Sequence, residues 1–296
     1  MKQIELRDFS LPERQRYIKN FIMASPEISD FTFSSLFMWA QHYSLKLTYF
    51  NDVACIICTG GEFTPSLLMP VGYIEDKIKD IIDFFYNWFH ERGLELYISH
   101  VDERFLPLIE SVPGYSYRVN YNRDYSDYIY DKNNFVSMRG SSYKHFRKKI
   151  HSFQRHFPDH SYAPLSEIDI PECLELLELW RIQKGYDADA NETAYLLKNY
   201  RDLELKGGII KIGGKIKAFI LGELCGKMGF VISGKGDMNI HGLYICALRE
   251  FVKNEFAQAT YINRCEDLGI KTLREAKMSW MPSKILHKYN VLCLRL

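Results

Sequence analysis

Residues 261 to 277 concentrate the side chains able to do chemistry, in the order Tyr-Ile-Asn-Arg-Cys-Glu-Asp-Leu-Gly-Ile-Lys-Thr-Leu-Arg-Glu-Ala-Lys. A short strand over Ala259 to Ile262 runs into the polar pair Asn263 and Arg264. Glu266 and Asp267 follow at the strand-to-helix turn, and the next helix carries Lys271, Arg274 and Lys277. A spacing of three keeps successive cations within about 100° of one another along one helical side. Acids and bases thus converge at the carboxyl end of a strand, where α/β folds place ligands. An aspartate beside the helix N-terminus is stabilised as an anion, so Asp267 suits holding an ammonium group. The competing reading makes it a helix N-cap in a solvated turn. Arg274 and Lys277 are placed to hold a phosphate or polarise a carbonyl, with Asn263 and Glu266 as further substrate contacts.

Glu223 ends a strand expected at the centre of a sheet. If it faces the cleft, it can accept a proton or bind an amine; a solvent-facing residue is the alternative. A second concentration of charge lies between Arg139 and Arg155, which holds six Lys or Arg and no acid. Tyr143, Phe146, Ile150, Phe153 and Phe157 fall at helical spacing and form a stripe to be buried. Lys144, Arg147, Lys148, His151 and Arg155 lie off that stripe. Such a helix fits a phosphate-bearing partner: coenzyme A, a tRNA acceptor end or an anionic lipid surface. Otherwise it is a solvated face anchored by its aromatics.

The elements that must position these groups come in two rounds. With 296 residues the chain has room for two domains of common size. The first round reads as a strand (Lys2 to Arg7) and two helices (Leu11 to Met23, Thr32 to Gln41). Three strands (Leu45 to Phe50, Val53 to Thr59, Ser66 to Met69) then precede an amphipathic helix from Ile74 to Arg92. A strand (Leu94 to Ser99), a helix (Glu103 to Glu110) and a strand-rich stretch to Tyr130 finish it. The second repeats the order with a strand at Ser161 to Leu165 and helices at Pro171 to Gln183 and Glu192 to Leu205. Its strands are Ile209 to Ile212, Ile216 to Leu224 and Met228 to Ser233. A helix from Leu243 to Phe256 leads to the motif above, and a closing strand from Lys284 to Leu294 completes the copy. The basic helix, Ser141 to Phe157, is inserted at the junction.

Composition excludes several classes. The net charge of +1 argues against a protein that coats nucleic acid, and no DNA partner is expected. The polar start Met-Lys-Gln-Ile-Glu-Leu-Arg-Asp shows no visible signal peptide, and no apolar run approaches membrane-spanning length, so neither is expected. Seven irregularly spaced cysteines do not form a disulfide framework. Cys55 and Cys58 sit inside an apolar strand that turns their sulfurs to opposite faces, so both read as buried structural residues. His145, His151 and His241 lack metal-ligand spacing with any acid cluster, and no metal is expected. A cytoplasmic location follows, with peripheral contact at the inner face of the membrane through the basic helix.

This order of elements is similar to the GNAT acyltransferase fold, and two units in tandem resemble the Fem-type aminoacyl-tRNA-dependent transferases. The motif at 261 to 277, the strand Gly-Lys-Ile-Lys-Ala-Phe-Ile-Leu-Gly-Glu at 214 to 223 and the basic junction helix resemble the DUF2156 group, related to the C-terminal domain of phosphatidylglycerol lysyltransferases. The resemblance is specific at 214 to 280, moderate at 126 to 158, and one of pattern before that. It implies an α/β (α+β) chain of two tandem GNAT-like units, each a mixed central sheet flanked by helices. Residues 1–134 would form a structural or substrate-supporting unit and 135–296 the unit with the active site. It implies transfer of an acyl or aminoacyl group to an amine or hydroxyl of a lipid, peptide or small molecule, with acyl-CoA or aminoacyl-tRNA as donor. Glu223 and Asp267 would be catalytic.

In GNAT enzymes that use acyl-CoA, a glycine-rich turn before a helix offers backbone N–H groups to the pyrophosphate. The matching turn runs from Ser233 to Tyr244, with Lys235, Asn239, Gly242 and Tyr244 as the cofactor-contacting positions. Tyr244 replaces the last glycine of the family's pattern, which weighs against coenzyme A. Two alternatives stand beside aminoacyl transfer from tRNA: an acyl-CoA-dependent N-acyltransferase, and a non-catalytic protein that binds anions or a membrane surface.

Overall fold

The computed structural model describes residues 4–61, 65–72, 74–186 and 188–296. Lys2 and Gln3 of the expected first strand lie outside the described residues. In chain order come β1 (Arg7–Asp8), α1 (Arg14–Ala24), α2 (Phe33–Trp39), β2 (Lys46–Phe50), β3 (Val53–Cys58), β4 (Ser66–Leu68), α3 (Ile78–His90), β5 (Leu96–Asp102), α4 (Leu106–Glu110), β6 (Tyr115–Tyr121), β7 (Asp127–Asp131), α5 (Lys132–Ser137) and α6 (Lys144–His156). The order then recurs as β8 (Ser161–Pro164), α7 (Ile170–Lys184), α8 (Ala190–Lys198), β9 (Lys206–Ile212), β10 (Lys215–Cys225), β11 (Met228–Gly236), α9 (Leu243–Glu255), β12 (Tyr261–Asn263), α10 (Lys271–Ser279), β13 (Lys284–Leu286) and β14 (Lys288–Arg295).

Two compact units result: Met1–Asp127 with Glu266–Lys271 and Ile285–Leu296, and Tyr128–Cys265 with Thr272–Lys284. One sheet has the order β1-β2-β3-β4-β5-β14-β6, the other β13-β7-β12-β11-β10-β9-β8. The first sheet is antiparallel except for the parallel pair β4 with β5; in the second, β8 to β11 pair antiparallel, β11 with β12 is parallel, and β12 with β7 is antiparallel. A parallel pair needs a crossover, and α3 and α9 supply it. The closing strand departs from the sequence expectation. It divides at His287, and β14 enters the first sheet between β5 and β6 rather than completing the second copy. In exchange β7, from the first half of the chain, occupies the equivalent place beside β12.

Local sequence accounts for the elements. Gly213 and Gly214 both take positive φ (56° and 76°), as a two-residue hairpin requires, and they pin Ile212 against Lys215. In α3, Ile78, Ile81, Ile82, Phe85 and Phe89 form the buried stripe and pack on β5. In α9, Leu248, Phe251 and Val252 do the same against β9 to β11. Each such side chain contributes about 1.5–3 kcal/mol by leaving water. The helix expected to reach Leu205 stops at Lys198, where the Asn199 side chain donates to the Tyr195 carbonyl and competes with the next turn. Among the described residues no cysteine forms a disulfide, and Cys55 and Cys58 are buried.

Candidate active site

In the second unit the parallel pairing of β11 with β12 lasts three residues: Met228 with Tyr261, Gly229 with Ile262, Phe230 with Asn263. Beyond Phe230, β11 continues to Gly236 while the other chain turns away at Arg264. The ladder therefore ends there, Cys265 Sγ still donating to the Val231 carbonyl at 3.4 Å, and this parting of the strands at their carboxyl ends, the slot, is the position at which open α/β sheets take ligands. Glu223 pairs with Phe230, which pairs with Asn263, so the three stand in one cross-strand row and share a face. Glu223 and Asn263 are buried. Asn263 accepts from the Cys265 N–H at 2.7 Å, which sets the turn after β12.

That turn is held from α10. Lys277 is buried, and its Nζ donates to the carbonyls of Arg264 (2.6 Å) and Cys265 (3.1 Å). The cation expected to grip a substrate phosphate thus braces the backbone at the slot. Arg274 sits half-buried on the same helix. The motif divides between the units. Asn263, Arg274 and Lys277 belong to the second, Glu266 and Asp267 to the first. Asp267 is fully buried, accepts from the Gly269 N–H at 2.9 Å and lies 3.5 Å from Arg123. Its geometry is that of a turn-forming aspartate.

Glu266 reaches the ammonium of Lys288 at 3.2 Å, and Asp127 reaches the same ammonium at 2.8 Å; Asp30 completes the ring. Oxygens of the three carboxylates lie within 4.8 Å of one another, close enough to hold a cation, and the cation they surround is Lys288. Burial alone would lower the pKa of Lys288; Asp127, Asp30 and Glu266 outweigh it and hold that pKa well above 10.5. Asp30, Asp127 and Lys288 went unnoticed in the sequence because they stand far apart in it, with no local pattern.

The turn before α9 differs from an open phosphate cradle. Gly242 has φ 84°, and a Cβ there would come within 2.6 Å of the Lys149 carbonyl of α6. Its lack of a side chain serves helix packing. Tyr244 lies over Gly234 of β11, its Oη 3.1 Å from where a Cβ would stand. Burial raises the Tyr244 phenol pKa, and the neighbouring Arg264 guanidinium opposes that rise. Lys235, expected to meet a cofactor, is buried and neutralised by both oxygens of Asp189 (2.7 and 2.8 Å), beneath the Trp180 ring. Asn239 is exposed, its N–H bonded to Asp237.

On α6, Phe146, Ile150 and Phe153 are buried as their spacing predicts. Lys144 and Lys148 are exposed, while Arg147 is spent on the Met138 and Gly140 carbonyls. Arg264, unassigned in the sequence beyond its polarity, has its guanidinium carbon 5.2 Å from the Trp280 ring centroid, 5.5 Å from Tyr130 and 5.8 Å from Phe135.

A family model described as phosphatidylglycerol lysyltransferase, C-terminal, matches residues 23–292. A conserved protein of unknown function from Bacteroides thetaiotaomicron is 29% identical with a TM-score of 0.91, over 99% of this chain and 100% of that one. The C-terminal domain of a putative lysylphosphatidylglycerol synthetase from Agrobacterium fabrum gives 13% identity and a TM-score of 0.67, covering 96% and 92%. A tandem GNAT protein from the clavulanic acid biosynthesis pathway gives 7% and 0.51, covering 98% of each chain. The tandem GNAT-like architecture expected from the element order is therefore present. No curated protein matches the chain. Among the described residues no helix is long and apolar enough to cross a membrane.

Proposed function

Because the chain belongs to the family of phosphatidylglycerol lysyltransferase C-terminal domains, we propose that it transfers an aminoacyl group from aminoacyl-tRNA to a hydroxyl or amine, with a phospholipid hydroxyl as the first acceptor to test. The observation that carries this reading over an acyl-CoA enzyme is the filled turn before α9. Gly242 is closed by the Lys149 carbonyl, and Tyr244 lies across Gly234. A pyrophosphate needs open N–H groups at such a turn, and a pantetheine arm needs the strand surface beside it.

The acceptor oxygen or nitrogen attacks the ester carbonyl, the bond to the tRNA ribose oxygen breaks, and that oxygen leaves with a proton. Glu223, buried in the row with Asn263, takes the proton from the acceptor. Holding donor and acceptor together supplies much of the rate, since an activated ester needs little further chemistry. Lys144 and Lys148 on α6 steer the anionic donor, and Arg274 lies on the helix that braces the slot. On this reading Asp267 and Lys277 position the turn between β12 and α10 rather than touching substrate. The protein works in the cytoplasm, where charged tRNA is made, in peripheral contact with anionic lipid.

The test supplies purified protein with a mixture of radiolabelled aminoacyl-tRNAs and phosphatidylglycerol vesicles, and follows label into the organic phase. A parallel arm supplies acetyl-coenzyme A and amines and follows thiol release. Lipid-soluble label that vanishes with Glu223→Gln supports the proposal. Thiol release without aminoacyl transfer refutes it in favour of the acyl-CoA reading. Vesicle binding with no turnover in either arm points to a non-catalytic surface protein.

A further inference from the structure

Arg264 is a cation without a counter-ion. Its guanidinium sits among Tyr130, Phe135 and Trp280, half-buried, and among the described residues no carboxylate pairs with it. Its Nη1 is buried and has no hydrogen-bond acceptor. Other partly buried cations of this unit are served: Lys235 by Asp189, Lys211 by Asp169, and Lys277 by two carbonyls. A desolvated charge with an idle donor is costly unless something completes it. Aromatic faces offset part of that cost through the ring quadrupole but accept no N–H bond in the plane of the guanidinium.

Position makes the idle donor informative. Arg264 is the first residue past the β11–β12 pairing, at the mouth of the slot. Its backbone is fixed on both sides: its N–H donates to the Tyr128 carbonyl and its own carbonyl accepts from Lys277 Nζ. Tyr244, a residue 38% exposed, stands beside it with its buried phenol oxygen within hydrogen-bonding reach of the guanidinium. A planar fork of donors next to an exposed aromatic face matches a nucleotide, with phosphate on the guanidinium and base on the ring. A lipid headgroup supplies the phosphate and has no use for the ring.

We propose that Arg264 and Tyr244 form the subsite for the 3′-terminal nucleotide of the tRNA donor, Arg264 taking a phosphate oxygen and Tyr244 stacking on the base. This rests on the aminoacyl-tRNA reading and adds to it the residues that hold the donor's end. It also gives Tyr244, which blocks the coenzyme A turn, a positive role in donor choice.

The probe is the trinucleotide cytidylyl-cytidylyl-adenosine, titrated into the full chain by calorimetry, with inorganic phosphate and phosphatidylglycerol vesicles as separate arms. Arg264→Gln is expected to weaken trinucleotide binding by about tenfold or more, as loss of a charge-assisted bond to phosphate does. Tyr244→Ala should weaken it by a comparable factor, and Tyr244→Phe should leave it nearly unchanged, since stacking needs only the ring. Arg264→Lys keeps the charge without the fork, and should keep the fold while still binding more weakly. Equal trinucleotide affinity in wild type and a folded Arg264→Lys or Arg264→Gln variant overturns the proposal. So does a loss confined to the vesicle arm, which would assign the guanidinium to lipid phosphate. Trinucleotide binding through Arg264 without aminoacyl transfer would leave this subsite standing and sink the transferase reading. Transfer with an unaltered tRNA KM in the variants would do the reverse.

Discussion

Replacing Lys288 with methionine is the sharpest test of how the first unit is held. The ammonium is almost fully buried, 2.8 Å from Asp127 and 3.2 Å from Glu266, with Asp30 also in contact. At an effective dielectric of 20, a charge pair about 3 Å apart attracts by about 5.5 kcal/mol. Three such contacts exceed the mutual repulsion of carboxylates within 4.8 Å of one another, about 3.5 kcal/mol for each pair on the same scale. Methionine fills the volume but leaves the repulsion. Relaxation and water entry reduce the loss, and breaking buried ion pairs one-sidedly costs about 3–5 kcal/mol. We therefore expect Lys288→Met to lose about 3–5 kcal/mol. Urea unfolding at neutral pH, read through Trp39 and Trp88 of the first unit, measures it.

A second substitution separates charge from packing. Asp127→Asn keeps an oxygen to accept from the Ser29 N–H, now bonded at 2.7 Å, while removing one negative charge. The Lys288→Met/Asp127→Asn pair should regain part of what Lys288→Met loses, so the two changes are non-additive. The wild type also has a signed pH dependence. With the Lys288 pKa held well above 10.5 in the folded state, its contribution is complete below that value. It is lost as pH rises through the folded pKa. A Lys288→Met variant within about 1 kcal/mol of wild type, or no rescue by Asp127→Asn, would refute the electrostatic account.

Two further outcomes are expected. Gly242→Ala should destabilise the second unit by at least about 1 kcal/mol from the left-handed backbone alone, with more from the contact against the Lys149 carbonyl; thermal unfolding and protease sensitivity of α6 report it. Glu223→Gln should lower kcat by about 10²–10⁴ with the fold intact, as removal of a general base does, and a change under about threefold would take Glu223 out of proton transfer.

The scaffold was legible because its signals are local. Gly213-Gly214 fixes a hairpin, Ile78 to Phe89 repeats at helical spacing, and Phe146, Ile150 and Phe153 mark the buried side of α6. The strand exchange was not, because β7 and β14 carry ordinary alternating sequence that fits either sheet. Only long-range pairing sends Leu292 beside Tyr97 and Ile262 beside Tyr130. The site was half legible for a related reason. Residue types at 261 to 277 announce chemistry, but a lysine gives no sign in sequence of whether its ammonium will meet substrate or a carbonyl. Lys277, Lys235 and Lys288 each found a partner inside the protein, and each is buried. Arg264, flanked by residues that look more functional, kept an unused donor. In a chain with nearly balanced charge, what matters for function is therefore which cation the fold leaves unneutralised. By that criterion we place the proposed substrate chemistry at Arg264, just past β12, with Glu223 on β10 beside the splayed pair.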